Sequence, residues 1–442
     1  MNESASQQQQ EFLLAQLEAL VSSQVEPGEQ RLFQSFMRHY YEMSSLDSLR
    51  SRSPEELFAV VHRHWQLTQS RQPGEPAVKV MNPDEAGAAG HHGFAVLESV
   101  VDDMPFVVDT LVMAVREAGS PIDWTVHPVL TVRRDADHRL SKVGGAESGD
   151  GQAESLVHIE FEPLADAQAY EKLEADVRRV LDDLRMVVAD YDGMRANVDR
   201  VAEAFRSSPE SARTDEYDEA LEFLSWLNEH HFTFLGYAES SAETDDAGRK
   251  TFRTLEEQGL GLMRKGGRFA RTDEFIAPQE ELDRYVNSSR MMVVTQANTR
   301  SPIHLPEFMD VVSVKKYAED GSVAGTYRFL GLFSTDVYTN RPHSIPLIRR
   351  KAEYVLQRSR LPEGSHSYKN LKEILHTLPR DELFQSGEDE LFDVCMGIRA
   401  LRDRHQLRLF MRRDRYGRFY SCMVYVPRDR YGREMRDRIG NE

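Results

Sequence analysis

The sequence predicts the α+β fold class, with tandem ferredoxin-like β-sheets that carry helices and an amino-terminal helical layer before them. Two observations predict it. Apolar residues recur at helical spacing over the first seventy residues, and from about residue 76 short segments with the period-two alternation of strands are interspersed with helical segments. A chain of 442 residues is also too long for one hydrophobic core, so several domains are expected.

Residues 1–75 are predicted to form the helical layer. Apolar residues recur at helical spacing on both sides of Pro27-Gly28, in the sets Leu13, Leu14, Leu17, Leu20, Val21 and Leu32, Phe33, Phe36, Met37, Tyr40. The segment Ser53-Pro54-Glu55-Glu56 combines a cap, a proline at the first helical position and a glutamate able to close a capping box. A third helix is therefore expected to begin there and to run through Trp65.

Residues 76–192 are predicted to form the first sheet domain. The expected elements are strands at Val78–Val80 and Phe94–Val101, a helix between Pro105 and Gly119, a strand over Ile122–Val132, an acidic, glycine-rich loop from Asp135 to Gln152, a strand over Leu156–Phe161 and a helix from Ala165 to about Tyr191. The order strand, helix, strand, strand, helix is typical of a ferredoxin-like sheet. We therefore expect a sheet with helices on one face.

Residues 193–385 are predicted to form a second α+β block. Two helices, Asn197–Arg206 and Asp215–Asn228, precede strands at Phe232–Tyr237, Thr251–Thr254 and Met291–Thr295, and helices from Ser344 to about Arg360 and from Asn370 to Leu378 follow. The strongest local signal is a hairpin of Val311–Tyr317 and Thr326–Phe333 around Asp320-Gly321, a dipeptide that suits a turn with a positive backbone dihedral.

Residues 386–442 are predicted to begin a third sheet domain. A helix capped at Ser386 and running through Leu401 precedes a hairpin of Leu407–Met411 and Phe419–Val426. Isolated two-stranded sheets are marginal in water, so we expect a further segment or a second chain to complete this sheet.

Composition excludes several classes of protein. The net charge of −18 repels phosphate backbones, so no nucleic-acid partner is expected, and no apolar run is long enough to cross a bilayer, so no membrane partner is expected either. The polar residues 1–10 do not resemble a secretory signal, which makes the cytoplasm the expected location. The two cysteines, Cys395 and Cys422, are too few for a disulfide scaffold, and both are expected to be reduced and buried.

The carboxy-terminal stretch differs in charge from the rest of the chain. From Arg399 onward it holds thirteen arginines and six acidic residues. These arginines form either a solvated face or a surface for an acidic partner.

The sequence predicts no cofactor-binding, metal-binding or catalytic residues. Gly259-Leu-Gly261 lacks the third glycine of a dinucleotide cradle and opens no clear helix, so a turn or strand junction is the better interpretation, and Lys265-Gly266-Gly267 lacks phosphate-loop spacing. Histidines occur as the pairs His62 and His64, His91 and His92, and His230 and His231. None of these spacings places two histidines on one helix face with a glutamate between them, as metalloproteases require.

One cluster has the chemistry of a binding site: Asp102-Asp103-Met104-Pro105, where a strand ends and a helix begins. Exposed amides at the helix start can meet a carboxylate, and an aspartate can meet an ammonium group, which suits a free amino acid as an effector. The alternative is an ordinary aspartate cap on the helix.

Several ordered segments resemble the large bacterial NAD-specific glutamate dehydrogenases. The segments from Glu98 to Thr110 (ESVVDDMPFVVDT) and from His127 to Asp135 (HPVLTVRRD) are similar to the first ACT-type region of that family. Further similar segments follow in the same order, at Phe232–Tyr237, Tyr327–Ser334, Ile345–Lys351, Pro379–Gln385 and Tyr425–Tyr431. The resemblance runs from roughly Ser53 to Tyr431.

The resemblance implies tandem ACT-like domains over 76–192, 193–385 and, in part, 386–442. It also implies a longer, homo-oligomeric subunit that uses NAD to oxidise L-glutamate to 2-oxoglutarate and ammonium at carboxy-terminal sites. This sequence contains no glycine-rich segment with the substrate lysine of amino-acid dehydrogenases, so no catalytic residue is carried over and the chain alone is expected to be inactive. We expect it to regulate and assemble the enzyme, with other copies and the missing catalytic region as partners. The alternatives are a stand-alone amino-acid-binding module and a purely structural oligomerisation segment.

Overall fold

The computed structural model describes residues 3–42, 44–87, 93–145, 151–209, 213–214, 216–244, 250–270, 279–401, 406–415, 417–427 and 431–440. The chain divides into two compact units. Unit 1 comprises Met1–Val188 and Pro302–Pro306, and unit 2 comprises Ala189–Ser301 and Glu307–Glu442. The histidine pair His91 and His92 lies outside the described residues.

Unit 1 begins with the expected helical layer. Its helices are α1 (Glu3–Gln24), α2 (Gln30–Tyr40), α3 (Leu46–Arg50) and α4 (Pro54–Thr68). The capping box that starts α4 is confirmed, since Ser53 accepts the Glu56 amide hydrogen and the Glu56 carboxylate accepts that of Ser53 at 2.8 Å. Phe33, Phe36 and Trp65 meet edge to face between α2 and α4, and they hold the layer together.

The sheet of unit 1 has six antiparallel strands. In chain order its elements are β1 (Ala77–Met81), α5 (Pro83–Ala86), β2 (Ala95–Asp102), α6 (Val107–Glu117), β3 (Ile122–Val126), β4 (Val129–Arg134), β5 (Leu140–Gly145), β6 (Gln152–Phe161) and α7 (Ala167–Arg206). The strand order is β1-β2-β6-β4-β5, and β3 also pairs with β6. Because β2 and the β3–β4 segment flank β6 and are joined through α6, the sheet contains the split β-α-β arrangement of ferredoxin-like folds.

Three predicted boundaries in this region are wrong. The single strand over Ile122–Val132 is two strands, because Pro128 has no amide hydrogen for the ladder, and β3 and β4 pair with different parts of β6. The loop from Asp135 to Gln152 contains β5, whose Leu140 and Val143 are buried against the helical layer. The two predicted helices on either side of residue 192 are one 40-residue helix, α7.

The prediction that helices cover only one face of the sheet is also wrong. Val100 and Leu156 point to one face and belong to the same core as the helical layer. Their strand neighbours Val101 and Val157 point to the other face and are buried as well. Because apolar residues of the helical layer and of the sheet form one core, the layer packs on the face that an ordinary two-layer sheet leaves exposed.

Unit 2 contains a second antiparallel sheet. Its elements are α8 (Tyr217–Trp226), β7 (Phe232–Thr244), β8 (Lys250–Thr254), β9 (Leu260–Gly261), α9 (Gln279–Asn287), β10 (Met292–Arg300), β11 (Phe308–Tyr317) and β12 (Val323–Phe333). The strand order is β10-β11-β12-β7-β8, with β9 against β7. The predicted hairpin is confirmed as β11 and β12, with Gly321 at a positive φ of 83°. Unlike the first sheet, β10, β11 and β12 pair as consecutive hairpins without a helical crossover.

Helices and a small hairpin complete unit 2. They are α10 (Thr335–Thr339), α11 (Ile348–Arg358), α12 (His366–Thr377), α13 (Arg380–Gln385), α14 (Glu388–Leu401), β13 (Arg408–Arg413), β14 (Tyr420–Tyr425) and α15 (Arg433–Gly440). Lys351 of α11 donates from Nζ to the carbonyl oxygens of Leu383, Phe384 and Ser386 at 2.5–2.9 Å. The Lys351 amino group at the end of α13 therefore satisfies carbonyls that the helix leaves without amide partners.

Candidate functional site

The Asp102–Pro105 turn connects β2 to α6 at one end of the first sheet. Asp102 closes β2, and its carboxylate accepts hydrogen bonds from Arg71 Nη2 at 2.5 Å and from the Gly74 amide at 3.0 Å. Gln152 Nε2 donates to the same carboxylate at 3.2 Å. Three donors from two neighbouring segments therefore orient Asp102, which is only partly exposed.

Asp103 is held by the neighbouring strand β6. Its amide donates to the Ala153 carbonyl at 3.0 Å, and its carboxylate accepts the Ser155 hydroxyl at 2.5 Å. The helix that follows has Phe106 at its N-cap, in a left-handed conformation with φ of 68° and no side-chain cap. Interpreting either aspartate as an ordinary cap of this helix is therefore wrong. Met104 is half-buried, whereas Pro105 is exposed.

A small cavity adjoins the turn. It has a volume of about 30 Å³, and its lining includes Arg71, Gly74, Met104, Leu181 and Arg185. That volume suits one water molecule but not an amino acid. Binding of an amino acid at this turn therefore requires the Arg71–Asp102 contact or the neighbouring α7 side chains to move.

A buried ion network continues inward from the turn. Glu154 of β6 is fully buried and accepts hydrogen bonds from Arg71 Nη2 at 2.7 Å and from Arg134 Nη2 at 2.8 Å. Burial alone would lower the pKa of Arg71, but its bonds to Asp102 and Glu154 raise it. Asp102 is thus the outer end of the chain Arg134–Glu154–Arg71–Asp102, which links the turn to the centre of the sheet.

A second polar network lies between the helical layer and the sheet, and the sequence interpretation missed it. Glu98 of β2 accepts hydrogen bonds from Arg63 Nη2 at 3.0 Å, and its Oε1 lies 3.1 Å from His158 Nδ1. Glu160 accepts from Arg52 Nη2 at 2.5 Å, and His158 Nε2 lies 3.5 Å from its carboxylate. Three of these groups, Glu98, His158 and Glu160, are fully buried.

The charges in this second network stabilise one another. Burial alone would raise the pKa of Glu98, but the His158 hydrogen bond and the nearby positive charges lower it to about 2. Burial alone would lower the pKa of His158, yet its bonds to Glu160 and Glu98 raise it. His158 is therefore an imidazolium between two carboxylates.

A neutral histidine adjoins these ions. Burial lowers the pKa of His64 to about 4. Its Nδ1 lies 2.8 Å from the Tyr40 hydroxyl and its Nε2 lies 3.1 Å from the Ser99 carbonyl, which fits a ring protonated on Nε2 only. The sequence signal for the whole network was the alternation of Glu98, His158 and Glu160 with apolar residues, a pattern that otherwise indicates a solvent-facing strand.

The structure places the glycine-rich segment that was considered as a cofactor cradle in a sheet. Leu260–Gly261 forms β9 against β7, which confirms the interpretation of Gly259–Gly261 as a strand junction. In the described ranges, no group of three or more His, Cys, Asp and Glu side chains is placed to hold a metal ion. Over the same residues, no helix is long and apolar enough to span a bilayer.

The split β-α-β arrangement of its sheet, with the polar Asp102–Pro105 turn at a strand end, places unit 1 in the ferredoxin-like class of α+β domains. Three family models match the chain in order: the glutamate dehydrogenase ACT1 domain over residues 36–177, helical motif 1 over 345–404 and the ACT2 domain over 408–442. The helical motif includes α14, which the sequence interpretation had assigned to the third domain. The chain belongs to the family of the large NAD-specific glutamate dehydrogenases.

Curated relatives agree with these matches. The chain is 34% identical over 437 residues to the NAD-specific glutamate dehydrogenase of Halomonas elongata, an alignment that covers 97% of this chain and 27% of that protein. It is 32% identical to the enzyme of the same name from Pseudomonas aeruginosa, over 91% of this chain and 25% of that protein. The corresponding values for the Mycobacterium tuberculosis protein are 26%, 84% and 22%. The chain thus spans about a quarter of the length of these relatives.

Proposed function

We propose that the chain is a non-catalytic regulatory and assembly segment of an NAD-dependent glutamate dehydrogenase. The whole enzyme oxidises L-glutamate to 2-oxoglutarate and ammonium in the cytoplasm, and NAD binds outside this segment. The observation that carries the proposal is the order of the matches, in which two ACT domains and a helical motif account for more than half of the chain. Within the described residues, the best glycine-rich candidate for a cofactor cradle is a strand junction.

A test of the non-catalytic role is a titration of the chain into NADH with the fluorescence of the nicotinamide ring as the readout. We expect no saturable change, because the described glycine segments present no helix start to a pyrophosphate. Saturable binding at micromolar concentration would place a cofactor site in this segment and contradict the proposal.

The regulatory part of the proposal concerns the Asp102–Pro105 turn. An amino acid would place its ammonium group against Asp103, whose carboxylate is exposed, and its carboxylate against the amides at the start of α6 or the Arg71 guanidinium. When its carboxylate binds Arg71, the amino acid displaces Asp102 from that guanidinium, and this disturbs the Arg134–Glu154–Arg71 network. The turn would in this way couple an effector to the interior of the sheet.

Calorimetry with a panel of free amino acids tests this role. A binding amino acid should release or absorb heat and raise the melting temperature of the chain, and Asp103→Asn should abolish both effects. Asp166→Asn is the matched control, because Asp166 is also exposed and follows the end of β6 at Phe161, whereas Asp103 contacts Ser155 near the start of that strand. The absence of heat and of stabilisation with every amino acid would eliminate the effector role and leave the structural alternative.

The purely structural alternative predicts self-association without any effector. Sheet edges offer unpaired main-chain groups to a second copy. Sedimentation velocity over a wide concentration range would show a concentration-dependent oligomer, and a monomer at every concentration would exclude self-association by this segment.

A further inference from the structure

Strand β1 stands at one end of the strand order of the first sheet, next to β2. In an antiparallel pair, every second residue directs its amide and carbonyl groups away from the partner strand. In β1 these residues are Val78 and Val80, because the Val78 carbonyl and the Val80 amide bind side chains outside the sheet. An edge of this kind is a template for a strand of a second chain unless something covers it.

Two side chains of α7 cover this edge. Glu174 Oε2 accepts the amide hydrogen of Val80 at 3.1 Å, and Arg178 Nη2 donates to the Val78 carbonyl at 2.6 Å. Arg178 Nη1 also donates to the carbonyl of Pro76, at 3.4 Å, and this proline has no amide hydrogen to offer a further strand. The carboxylate therefore takes the place of the carbonyl of a neighbouring strand, and the guanidinium takes the place of its amide. We call Glu174 and Arg178 the edge guard.

The edge guard is held in position by its helix. Arg178 Nη2 donates to Glu174 Oε1 at 2.9 Å, so the two side chains, one helical turn apart, also bind each other. Leu173 and Val177, which precede them on α7, are buried. Because these apolar side chains anchor the helix, the guard lies beside β1 although its own side chains are 32% and 44% exposed.

The opposite edge of the sheet is covered in a different way. At β5 the Ser35 hydroxyl of α2 donates to the Val143 carbonyl at 3.1 Å. The Leu140 amide donates to the main-chain carbonyl of Gln69 at 3.0 Å. Leu140 and Val143 also belong to the core that the sheet shares with the helical layer. Core packing and main-chain pairing therefore hold the cover of β5 in place, whereas the contacts that cover β1 come from two charged side chains.

We propose that Glu174 and Arg178 prevent a second copy of the chain from adding a strand to β1. A strand would reach the Val78 carbonyl and the Val80 amide only after both side chains had left, and their charge-assisted hydrogen bonds oppose this. The proposal deepens the assembly part of the proposed function and rests on it, since it leaves contacts between copies to other surfaces. The oligomeric state of the unchanged chain tests assembly itself, whereas the difference between guard variants tests the edge guard.

A cysteine at position 79 reports on strand addition. Two β1 strands paired around a two-fold axis would place Val78 opposite Val80 of the second copy and bring the two residues 79 face to face. Such a non-hydrogen-bonded pair has Cα atoms about 4.5 Å apart, which a disulfide can span. Lys79 is exposed, and Lys79→Cys also removes the like charges that would otherwise oppose each other.

The native cysteines have different environments. Cys395 is buried, as expected, but Cys422 is exposed, so the expectation that both cysteines are buried is wrong for Cys422. The reference chain for the test therefore combines Lys79→Cys with Cys422→Ser, which leaves position 79 as the site of disulfide formation under mild oxidation by air.

The guard variants are made in this reference chain. Glu174→Ala with Arg178→Ala should double the mass measured by sedimentation velocity and yield a disulfide-linked dimer, because the edge then lacks its cover. Glu174→Gln with Arg178→Lys keeps one acceptor and one donor, so it should retain the mass of the reference chain and form no disulfide. Lys172→Ala with Asp176→Ala is the matched control, since these residues form an ion pair of the same spacing on the same helix.

The outcomes separate the edge guard from a general effect of charge on α7. Circular dichroism should show unchanged helix content in every variant, since alanine favours helix. An alanine guard variant that keeps the mass of the reference chain at every concentration would overturn the proposal, as would doubling of the mass without the disulfide. Equal association by the Lys172 and Asp176 control, or disulfide formation at the same rate with the guard intact, would also overturn it.

Discussion

The buried Glu98–His158 contact should be a principal source of stability in unit 1. Glu98→Gln keeps the size of the side chain but removes the charge that faces Arg63 and His158, which leaves His158 with Glu160 alone. Breaking a fully buried ion pair by removing one partner costs about 3–5 kcal/mol, because the remaining charge stays buried without compensation. Because His158 retains Glu160 and Arg63 is half-buried, we expect the free energy of unfolding of unit 1 to fall by about 3 kcal/mol, the lower end of this range.

The matched control is Glu42→Gln. Glu42 also contacts a histidine, His39, at 2.9 Å, but its side chain is 61% exposed. Exposed pairs of this kind contribute less than about 1 kcal/mol. The two substitutions remove the same chemical group, so the difference between them isolates the effect of burial.

The assay is urea unfolding followed by tryptophan fluorescence. The chain has three tryptophans, and two of them, Trp65 and Trp124, lie in unit 1. Both variants should be made in a Trp226→Phe background so that fluorescence reports on unit 1 alone. If Glu98→Gln costs no more than Glu42→Gln, the ion network does not stabilise the contact between the helical layer and the sheet, and that part of the reasoning is refuted.

Three further predictions concern pH and packing. The neutral form of His64 contributes stability that is fully present above its unfolded pKa of about 6.5 and is lost as the pH falls towards about 4. The charged form of His158 has the opposite dependence. Its contribution is fully present below about 6.5 and is lost as the pH rises through the raised pKa of the folded state. Unit 1 should therefore be most stable slightly below neutral pH. Unfolding curves measured across the pH range should show that the free energy of unfolding falls at alkaline pH in the wild type but not in His158→Gln. The same fall in both proteins would contradict this assignment. Lys351→Met should destabilise unit 2 by roughly 3 kcal/mol in thermal unfolding, because three buried carbonyls lose their donor, and an unchanged melting temperature would show that water replaces it. Gly331→Ala should destabilise unit 2 by about 1–3 kcal/mol, since a Cβ there would lie 2.2 Å from the Thr233 carbonyl oxygen. Wild-type stability would show that the β12–β7 pairing, whose register shifts between Leu330 and Gly331, adjusts freely.

Local signals in the sequence predicted the elements that depend on local chemistry. The capping box at Ser53 and Glu56, the turn at Gly321 and the positive φ of Gly119 at the end of α6 each require only a few neighbouring residues. These elements appear where the sequence places them. Other boundaries depend on pairing partners. The division of β3 from β4 arises because the two strands pair with different parts of β6, and the alternation of apolar and polar residues does not reveal it.

The polar core of unit 1 could not be predicted for a related reason. The alternation of His158 and Glu160 with apolar residues is the same whether one face of a strand meets water or a second layer of helices. Which of the two covers the strand depends on the helical layer. Its Arg52 and Arg63 bind Glu160 and Glu98 of the sheet, which lie more than thirty residues away in sequence. The Asp102–Pro105 turn was located correctly, but its partner Arg71 lies in a segment that has no periodic signal.

We propose that this chain contributes to a glutamate dehydrogenase without carrying the reaction itself. The most direct measurement is the absorbance of NADH after L-glutamate and NAD are added to the purified 442-residue chain. The account predicts no NADH above the rate of a blank without protein, whether or not amino-acid effectors are present. Sustained NADH formation in proportion to the concentration of the chain would contradict it.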